Sequence, residues 1–314
     1  MPPDLNLLKS VLQKKVPSEP LRNALLELFS APGFKGVLSE EETRQLAATG
    51  RLSGEQMLLV LAEVAQVYAI PSISNFHVGA IAQGASSGNF YMGANMEFKG
   101  QALSFTLHAE QAATTNAWNN EEEGLALLAV NAAPCGYCRQ FLNELMTAKK
   151  LMVLLEGSPA EPLAKLLPKA FGPEELGVKE AEAMMSPQDH NLELVDETTD
   201  LLVLAALEAA NQSYAPMSYA EPPFPCYAGV ALETSGQIFV GRLGENVAYN
   251  PSISPLEAAM TMWTLGAAAG EPVERVVLVQ SEGTVADQTA ATEAVLQTLP
   301  GPPTFERYLA VPAS

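Results

Sequence analysis

The stretch Leu107-His108-Ala109-Glu110-Gln111-Ala112-Ala113, followed by Ala133-Pro134-Cys135-Gly136-Tyr137-Cys138-Arg139-Gln140-Phe141-Leu142-Asn143-Glu144-Leu145, decides how this chain folds. Each segment reads as the start of a helix, and Leu125 to Val130 between them reads as a strand. Two thiols three residues apart at a helix N-terminus can face one metal ion, and the positive end of the helix dipole favours their thiolates. His108, from the neighbouring helix start, makes a third ligand. Three protein ligands leave one tetrahedral position for water, which is the arrangement of a catalytic rather than a structural zinc. Zinc lowers the pKa of such a water from about 16 toward about 7. Glu110, two residues beyond His108, is placed to face the pocket without ligating and to move the protons. Two other readings stay open: a four-ligand zinc site that uses Cys226 or another histidine, and a thioredoxin-like redox pair, which leaves His108 and Glu110 without a role.

Working outward, the text before this core is helical. Leu5 to Val16 and Leu21 to Phe29 carry apolar residues at three- and four-residue spacing, punctuated by Pro17, Pro20 and Pro32. Ser39-Glu40-Glu41-Glu42 predicts a helix start with an N-cap serine, and Ser53-Gly54 opens a helix over Glu55 to Tyr68. Strands are predicted at Val78 to Ala82 and Phe90 to Asn95, a helix from Thr106 to Trp118, another from the cysteine pair to Met146, and a strand at Leu151 to Leu155. Glu156 to Asp196, rich in Pro, Glu and Met, reads as a linker with a short helix near Leu163. The order then repeats: a helix at Asp200 to Ala210, strands at Ala228 to Glu233 and Gln237 to Arg242, a helix at Pro255 to Ala268, a strand at Val276 to Val279, and a helix at Ala286 to Leu299. Local text supports a duplicated α/β unit: Tyr91 to Asn95 echoes Val240 through Asn246, and Asn95-Met96-Glu97-Phe98 echoes Asn246-Val247-Ala248-Tyr249. Coincidental α/β alternation is the competing explanation.

Composition bounds the partners. The chain has 314 residues, 48% hydrophobic and 17% charged, with a formal net charge of -19. That is enough apolar text for two cores, and the acidic surface repels phosphate backbones and anionic lipid, so neither nucleic acid nor membrane is expected as a partner. Met1-Pro2-Pro3-Asp4 lacks the basic start of a secretory signal, and the longest apolar runs, such as Leu201 to Leu207, are too short to span a bilayer. Three cysteines, two of them in C-x-x-C, suit metal chemistry in a reducing compartment, and a cytoplasmic location is expected.

The pairing of H-x-E with P-C-x-x-C is the pattern of zinc deaminases. The quoted segments, together with Leu167-Pro-Lys-Ala-Phe-Gly-Pro173, resemble the cytidine deaminase family, in particular its long, homodimeric, bacterial-type branch, from about residue 50 to the end of the chain. The resemblance implies an α/β fold of two tandem three-layer α/β/α units, each with a mixed sheet flanked by helices, preceded by a helical N-terminal segment. It implies residues 1–50 as that segment, 51–156 as the catalytic zinc-binding domain, 157–197 as the linker, and 198–314 as a deaminase-like domain without zinc ligands. In the second copy Pro255-Leu256-Glu257 stands where His-Ala-Glu is expected, and Glu257 reads as a remnant or surface residue.

The activity implied is hydrolytic deamination of cytidine and 2′-deoxycytidine, with one Zn2+ per chain held by His108, Cys135 and Cys138, zinc-bound hydroxide attacking C4, and Glu110 as proton shuttle. A deaminase of a modified nucleoside, or a silent zinc-containing nucleoside-binding relative, is the alternative. The resemblance also implies a small nucleoside as ligand and a homodimer as the assembly. Asn95 and Glu97 match the family's sugar-binding pair, Phe76 the aromatic that packs on the pyrimidine, and Phe171 a linker aromatic that covers the pocket; core packing is the alternative for both phenylalanines. His77 departs from the Asn usual beside that Phe and reads as partly exposed. Arg139 is expected to reach a cysteine sulfur. His190 reads as solvated, Cys226 as a packed free thiol, Trp118 and Trp263 as core, and Glu121-Glu122-Glu123 as a charged turn.

Overall fold

A computed structural model describes residues 5–31, 33–267 and 271–313. Serines set the early helix starts. The first two helices are α1 (Leu5–Lys15) and α2 (Glu19–Phe29), the latter capped by Ser18. After the short strand β1 (Val37–Leu38), α3 (Glu40–Gly50) and α4 (Gly54–Ala65) each begin in a capping box, Ser39 with Glu42 and Ser53 with Gln56. The first unit continues with β2 (Gly79–Gly84), β3 (Phe90–Ala94), α5 (Ala109–Asn119), β4 (Leu125–Val130), α6 (Gly136–Leu142), β5 (Met152–Leu154), β6 (Glu161–Pro162) and α7 (Leu163–Leu166). The second contains β7 (Leu192–Leu194), α8 (Leu201–Asn211), β8 (Ala228–Thr234), β9 (Gln237–Arg242), α9 (Pro255–Gly266), β10 (Arg275–Ser281), α10 (Thr289–Leu296) and β11 (Thr304–Pro312).

Alternation along the strands sorts side chains between layers. Ala80 and Ala82 face inward with Val230 and Leu232 of the second sheet, in a core that includes α5 and α9. Ile81 and Met92 face outward, under a core supplied by Leu8, Leu12, Leu25, Phe29, Met57 and Leu61 of the first helices. Ala231 and Val277 point to the opposite side of the second sheet, beneath Leu202, Val203 and Ala206 of α8. Each unit is thus three layers, with α5 and α9 packed between the two sheets.

The two sheets have one pattern. Their orders are β3-β2-β4-β5-β6, extended by β1, and β9-β8-β10-β11-β7. In each, the first two pairings are antiparallel, the third parallel and the last antiparallel, giving the mixed sheet expected. Close approach fixes the correspondence. A Cβ on Gly93 would lie 2.0 Å from Ala113 N and 2.6 Å from Ala109 O, and one on Gly241 would lie 2.1 Å from Ala259 N and 2.2 Å from Pro255 O. The helices therefore seat on their sheets at matching points, and only a residue without a Cβ permits it.

That register corrects two expectations. Ala109 matches Pro255, so His108 matches Ser254, Glu110 matches Leu256, and Glu257 matches Gln111 rather than Glu110. Bridges Ile70–Met96–Leu107 and Tyr214–Gly244–Ile253 pair Met96 with Gly244, which sets Glu97 opposite Glu245 and not Ala248. Glu257 is buried, closing a capping box with Ser254, and is not a surface residue.

Other differences follow from long-range pairing. The stretch read as linker supplies an edge strand to each sheet, β6 and β7, and buries Met184 and Met185. Strand β11 was not expected. The helix after the cysteines ends at Leu142 rather than Met146, and that expected at Ala286 to Leu299 spans Thr289–Leu296. The expected end of α9 at residue 268 lies outside the described residues. Glu122 is buried, accepting from Ser86 N, both Ser86 and Ser87 hydroxyls, and Tyr91 OH at 2.9 Å, so the triple glutamate is more than a solvated turn. His190 is half-buried, stacked on Tyr227 at 3.8 Å, with Nε2 2.6 Å from Ser213 O. Trp118 and Trp263 lie in the core. Among the described residues no helix is long and apolar enough to cross a membrane.

The seam between units carries buried carboxyls. Burial pushes Glu245 up to about 8, with the nearby Glu144 adding to it and a Met217 backbone donor opposing; burial pushes Glu144 up to about 7. A carboxyl whose folded pKa is raised contributes stability below its unfolded value near 4.5, and that contribution is lost as pH rises through the folded pKa. Glu245→Gln, which cannot ionise, should therefore flatten the fall of Tm between about pH 5 and pH 9. Thermal melts of both proteins at equal, saturating zinc across that range check it; parallel curves would contradict the assignment.

Candidate metal centre and active site

The donors meet because two helix starts converge. Leu107 exchanges backbone hydrogen bonds of 2.9 Å with Met96, which leaves His108 extended at the N-cap of α5. Gln111 Oε1 accepts from His108 N at 3.2 Å, fixing that start. Cys135 is the extended N-cap of α6, and its Sγ accepts from Cys138 N at 3.5 Å. His108 Nδ1 lies 3.6 Å from Cys135 Sγ and 3.2 Å from Cys138 Sγ, with the sulfurs 3.7 Å apart. A tetrahedral zinc with Zn–S near 2.3 Å and Zn–N near 2.0 Å requires donor separations of about 3.5–3.8 Å. Two sides of the triangle match that ion, and the third, His108 Nδ1 to Cys138 Sγ, is about 0.3 Å shorter than it requires.

Among the described residues this is the one group of three His, Cys or acidic side chains with ligand atoms within 4.8 Å of one another, and no fourth such side chain joins it. Cys226 is instead packed, its thiol donating to Ala286 O at 3.0 Å. The Cys135 thiol is pushed down to about 5, chiefly by its hydrogen bond with Cys138, with burial opposing and the Cys138 and Tyr137 backbone N–H groups assisting. That favours thiolate at Cys135, the form a metal takes, while the same hydrogen bond and burial push the Cys138 thiol up.

Glu110 occupies the first turn of α5 and is 4% exposed. Burial pushes its carboxyl up, opposed by its own backbone N–H. A cleft of about 340 Å³ opens over it, lined also by His108 and Cys135 and by three further expected residues, Phe76, Asn95 and Glu97. The volume suits a small organic ligand. Asn95 braces the cleft wall: its Oδ1 accepts from Val78 N at 2.8 Å and its Nδ2 donates to Phe76 O at 2.9 Å. Glu97 accepts from Ile73 N at 2.7 Å, Ser74 N at 2.8 Å and the Ser74 hydroxyl. Burial would raise this carboxyl, but the Ser74 and Ile73 donors outweigh it and hold Glu97 low, as a carboxylate. Phe76 is 61% exposed at the rim, which is not core packing, and His77 is partly exposed.

Phe171 is not in this cleft. It is 48% exposed, and its carbonyl accepts from Gln140 at 2.8 Å and Asn143 at 3.3 Å. Arg139 does not hydrogen-bond a sulfur; its guanidinium is taken up by the backbone carbonyls of Pro134 and Leu166, both at 2.9 Å. Reading the sequence missed Ser74, the clamp on Glu97, and Tyr137, whose ring stacks 5.6 Å from that of His108. The position of Tyr137 between the cysteines was the available signal.

A soft three-donor site beside a buried carboxyl, at the helix starts of an α/β/α layer, defines a zinc-dependent hydrolytic enzyme. The family described as cytidine and deoxycytidylate deaminase zinc-binding region matches twice, over residues 53–155 and 163–293. Cytidine deaminases of Yersinia pestis and Yersinia pseudotuberculosis are 41% identical over 280 residues, covering 89% of this chain and 92% of theirs. The chain belongs to the cytidine deaminase family, and zinc is its cofactor. The crystal structure of cytidine deaminase from Mycobacterium tuberculosis aligns with 37% of this chain and 95% of its own, at 32% identity and a TM-score of 0.34. That of cytidine deaminase from Burkholderia pseudomallei aligns with 36% of this chain and 96% of its own, at 28% identity and a TM-score of 0.33.

Proposed function

We propose that this chain hydrolyses cytidine and 2′-deoxycytidine to the uridine nucleosides and ammonia. The observation that carries this reading is the His108/Cys135/Cys138 triangle opening on the cleft that also contains Glu110, Asn95 and Glu97. Those three donors would hold the zinc, which when bound supplies Lewis-acid chemistry that acidifies water. Glu110 takes the proton released from water and delivers it to the pyrimidine N3. With the water oxygen bonded to C4, it then carries the proton of that new hydroxyl to the amine as the C4–N bond breaks, so that cytidine and water balance uridine and ammonia. Burial suits it to this work, since it raises the affinity of the carboxyl for the proton it must hold between transfers.

Asn95 and Glu97 hold the ribose 3′-hydroxyl, and Phe76 packs on the base. Residues 51–156 form the catalytic domain, with 1–50 as a helical segment, 157–197 as the link and 198–314 as the metal-free domain. The working unit is a homodimer; Phe171 is exposed and outside its own chain's cleft, and its proposed role as the aromatic that covers a pocket would then be played at the partner's. Three free thiols suit the cytoplasm.

Incubation with cytidine, followed by the change in ultraviolet absorbance, tests the activity. Turnover should stop with a zinc chelator and return when zinc is restored. Zinc-loaded protein that leaves cytidine unchanged would instead indicate a silent relative, or, if a substrate panel finds another nucleoside consumed, a different substrate.

A further inference from the structure

The metal-free unit touches the helix that carries both cysteines, along one stripe. Tyr137, Gln140 and Glu144 sit at i, i+3 and i+7 on α6 and the turn after it, a spacing that aligns side chains on one face. All three reach across the seam. Tyr137 OH donates to Ser252 O at 3.5 Å. Asn246 Nδ2 donates to the backbone carbonyl of Gln140 at 3.0 Å, and Gln140 Nε2, which donates to Phe171 O at 2.8 Å, also reaches Asn246 Oδ1 at 3.4 Å. Glu144, with 0% of its surface exposed, receives Val247 N on one oxygen at 2.9 Å and Tyr214 OH on the other at 3.0 Å.

We infer that the second unit positions the metal-binding helix, with Glu144 as the anchoring residue that sets the rotation of α6 and hence the aim of Cys135 and Cys138. The apolar contacts of α6 do not fix this by themselves. The helix is seven residues long, and its wholly buried apolar side chains besides Cys138 are Phe141 and Leu142, which resist withdrawal more than rotation. Directional hydrogen bonds at both ends of a short helix do resist rotation. The upper end of the stripe also meets the third donor, since the Tyr137 ring stacks on His108. Loss of the Glu144 carboxylate would leave the Val247 N–H or the Tyr214 hydroxyl poorly matched in a buried place, so the loop 244–247 would release the helix.

Glu144 is a positioning residue, and this inference rests on the reading of His108, Cys135 and Cys138 as the zinc ligands. In the holoenzyme, Glu144→Gln should speed zinc release to a chromophoric chelator by about tenfold, the scale on which partners behind the ligands act. It should also shift the visible bands of the cobalt-substituted protein and lower kcat with KM nearly unchanged. Tyr214→Phe should do the same to a smaller degree, and the double variant should be no worse than Glu144→Gln alone. If Glu144→Gln does not fold, Tyr214→Phe, which removes one hydroxyl, decides by the same readings. A lower Tm with unchanged zinc release and an unchanged cobalt spectrum would overturn the inference. Cys138→Ser serves as the control: zinc retained there would overturn the ligand reading itself.

Discussion

Glu110→Gln should lower the turnover of cytidine by about 10⁴-fold while zinc stays bound at about one ion per chain. The amide keeps the size and much of the hydrogen bonding of the carboxyl but cannot accept and return a proton. A single general acid–base group contributes about 10²–10⁴-fold, and this carboxyl is assigned several transfers in one cycle, so the loss belongs at the upper end of that range. The reason to expect intact folding and metal is geometric. Glu110 lies outside the donor triangle, and its replacement removes no ligand. It also removes a carboxyl that burial disfavours, so Tm should hold or rise. Steady-state absorbance assays and metal analysis on the same preparation decide the matter; a variant that retains zinc and more than about a tenth of the turnover would remove Glu110 from the chemistry.

Cys138→Ser should abolish both zinc and activity. Serine is close in size, so the packing around this buried position is little changed, but its hydroxyl does not become an anion at neutral pH and is a poor soft ligand. Zinc held by such donors is bound with about 10–16 kcal/mol in all, so one ligand of three or four is worth about 3 kcal/mol or more, an affinity loss of at least about 10²-fold. Dialysed protein should then contain little zinc, with far-ultraviolet circular dichroism still that of a folded chain. Stoichiometric zinc in dialysed Cys138→Ser protein would mean that the ion sits elsewhere.

The local features were legible because local physics makes them. Ser39 and Ser53 announce helix starts through reciprocal hydrogen bonds that span three residues. The cysteine pair and His108 announce a metal through donor chemistry that few other roles use. The α/β order of both halves follows from hydrophobic periodicity. What stayed hidden depended on partners far along the chain. Glu122 looked solvated because its donors Ser86, Ser87 and Tyr91 are 31 to 36 residues away. Leu192–Leu194 looked like linker because a three-residue edge strand carries almost no periodicity, and its pairing with Ala310 to Pro312 crosses most of the second unit. Glu257 was misaligned because text alone matches P-L-E to H-A-E, whereas the seat of α9 over Gly241 shifts the match by one residue.

By itself the sequence pointed to zinc and named three candidate donors and a neighbouring acid, which the structure brings close together, since those are matters of residue type at short spacing. It also determined that two α/β units follow one another. Only the tertiary structure decided the register between the units, which charged groups are buried, and which hydrogen bonds α6 makes to the second unit. The reason is that donor type is a property of single side chains, while orientation belongs to pairs. The hydrogen bonds from Glu144 to Tyr214 and Val247 join residues 70 and 103 positions apart, and no local pattern records them.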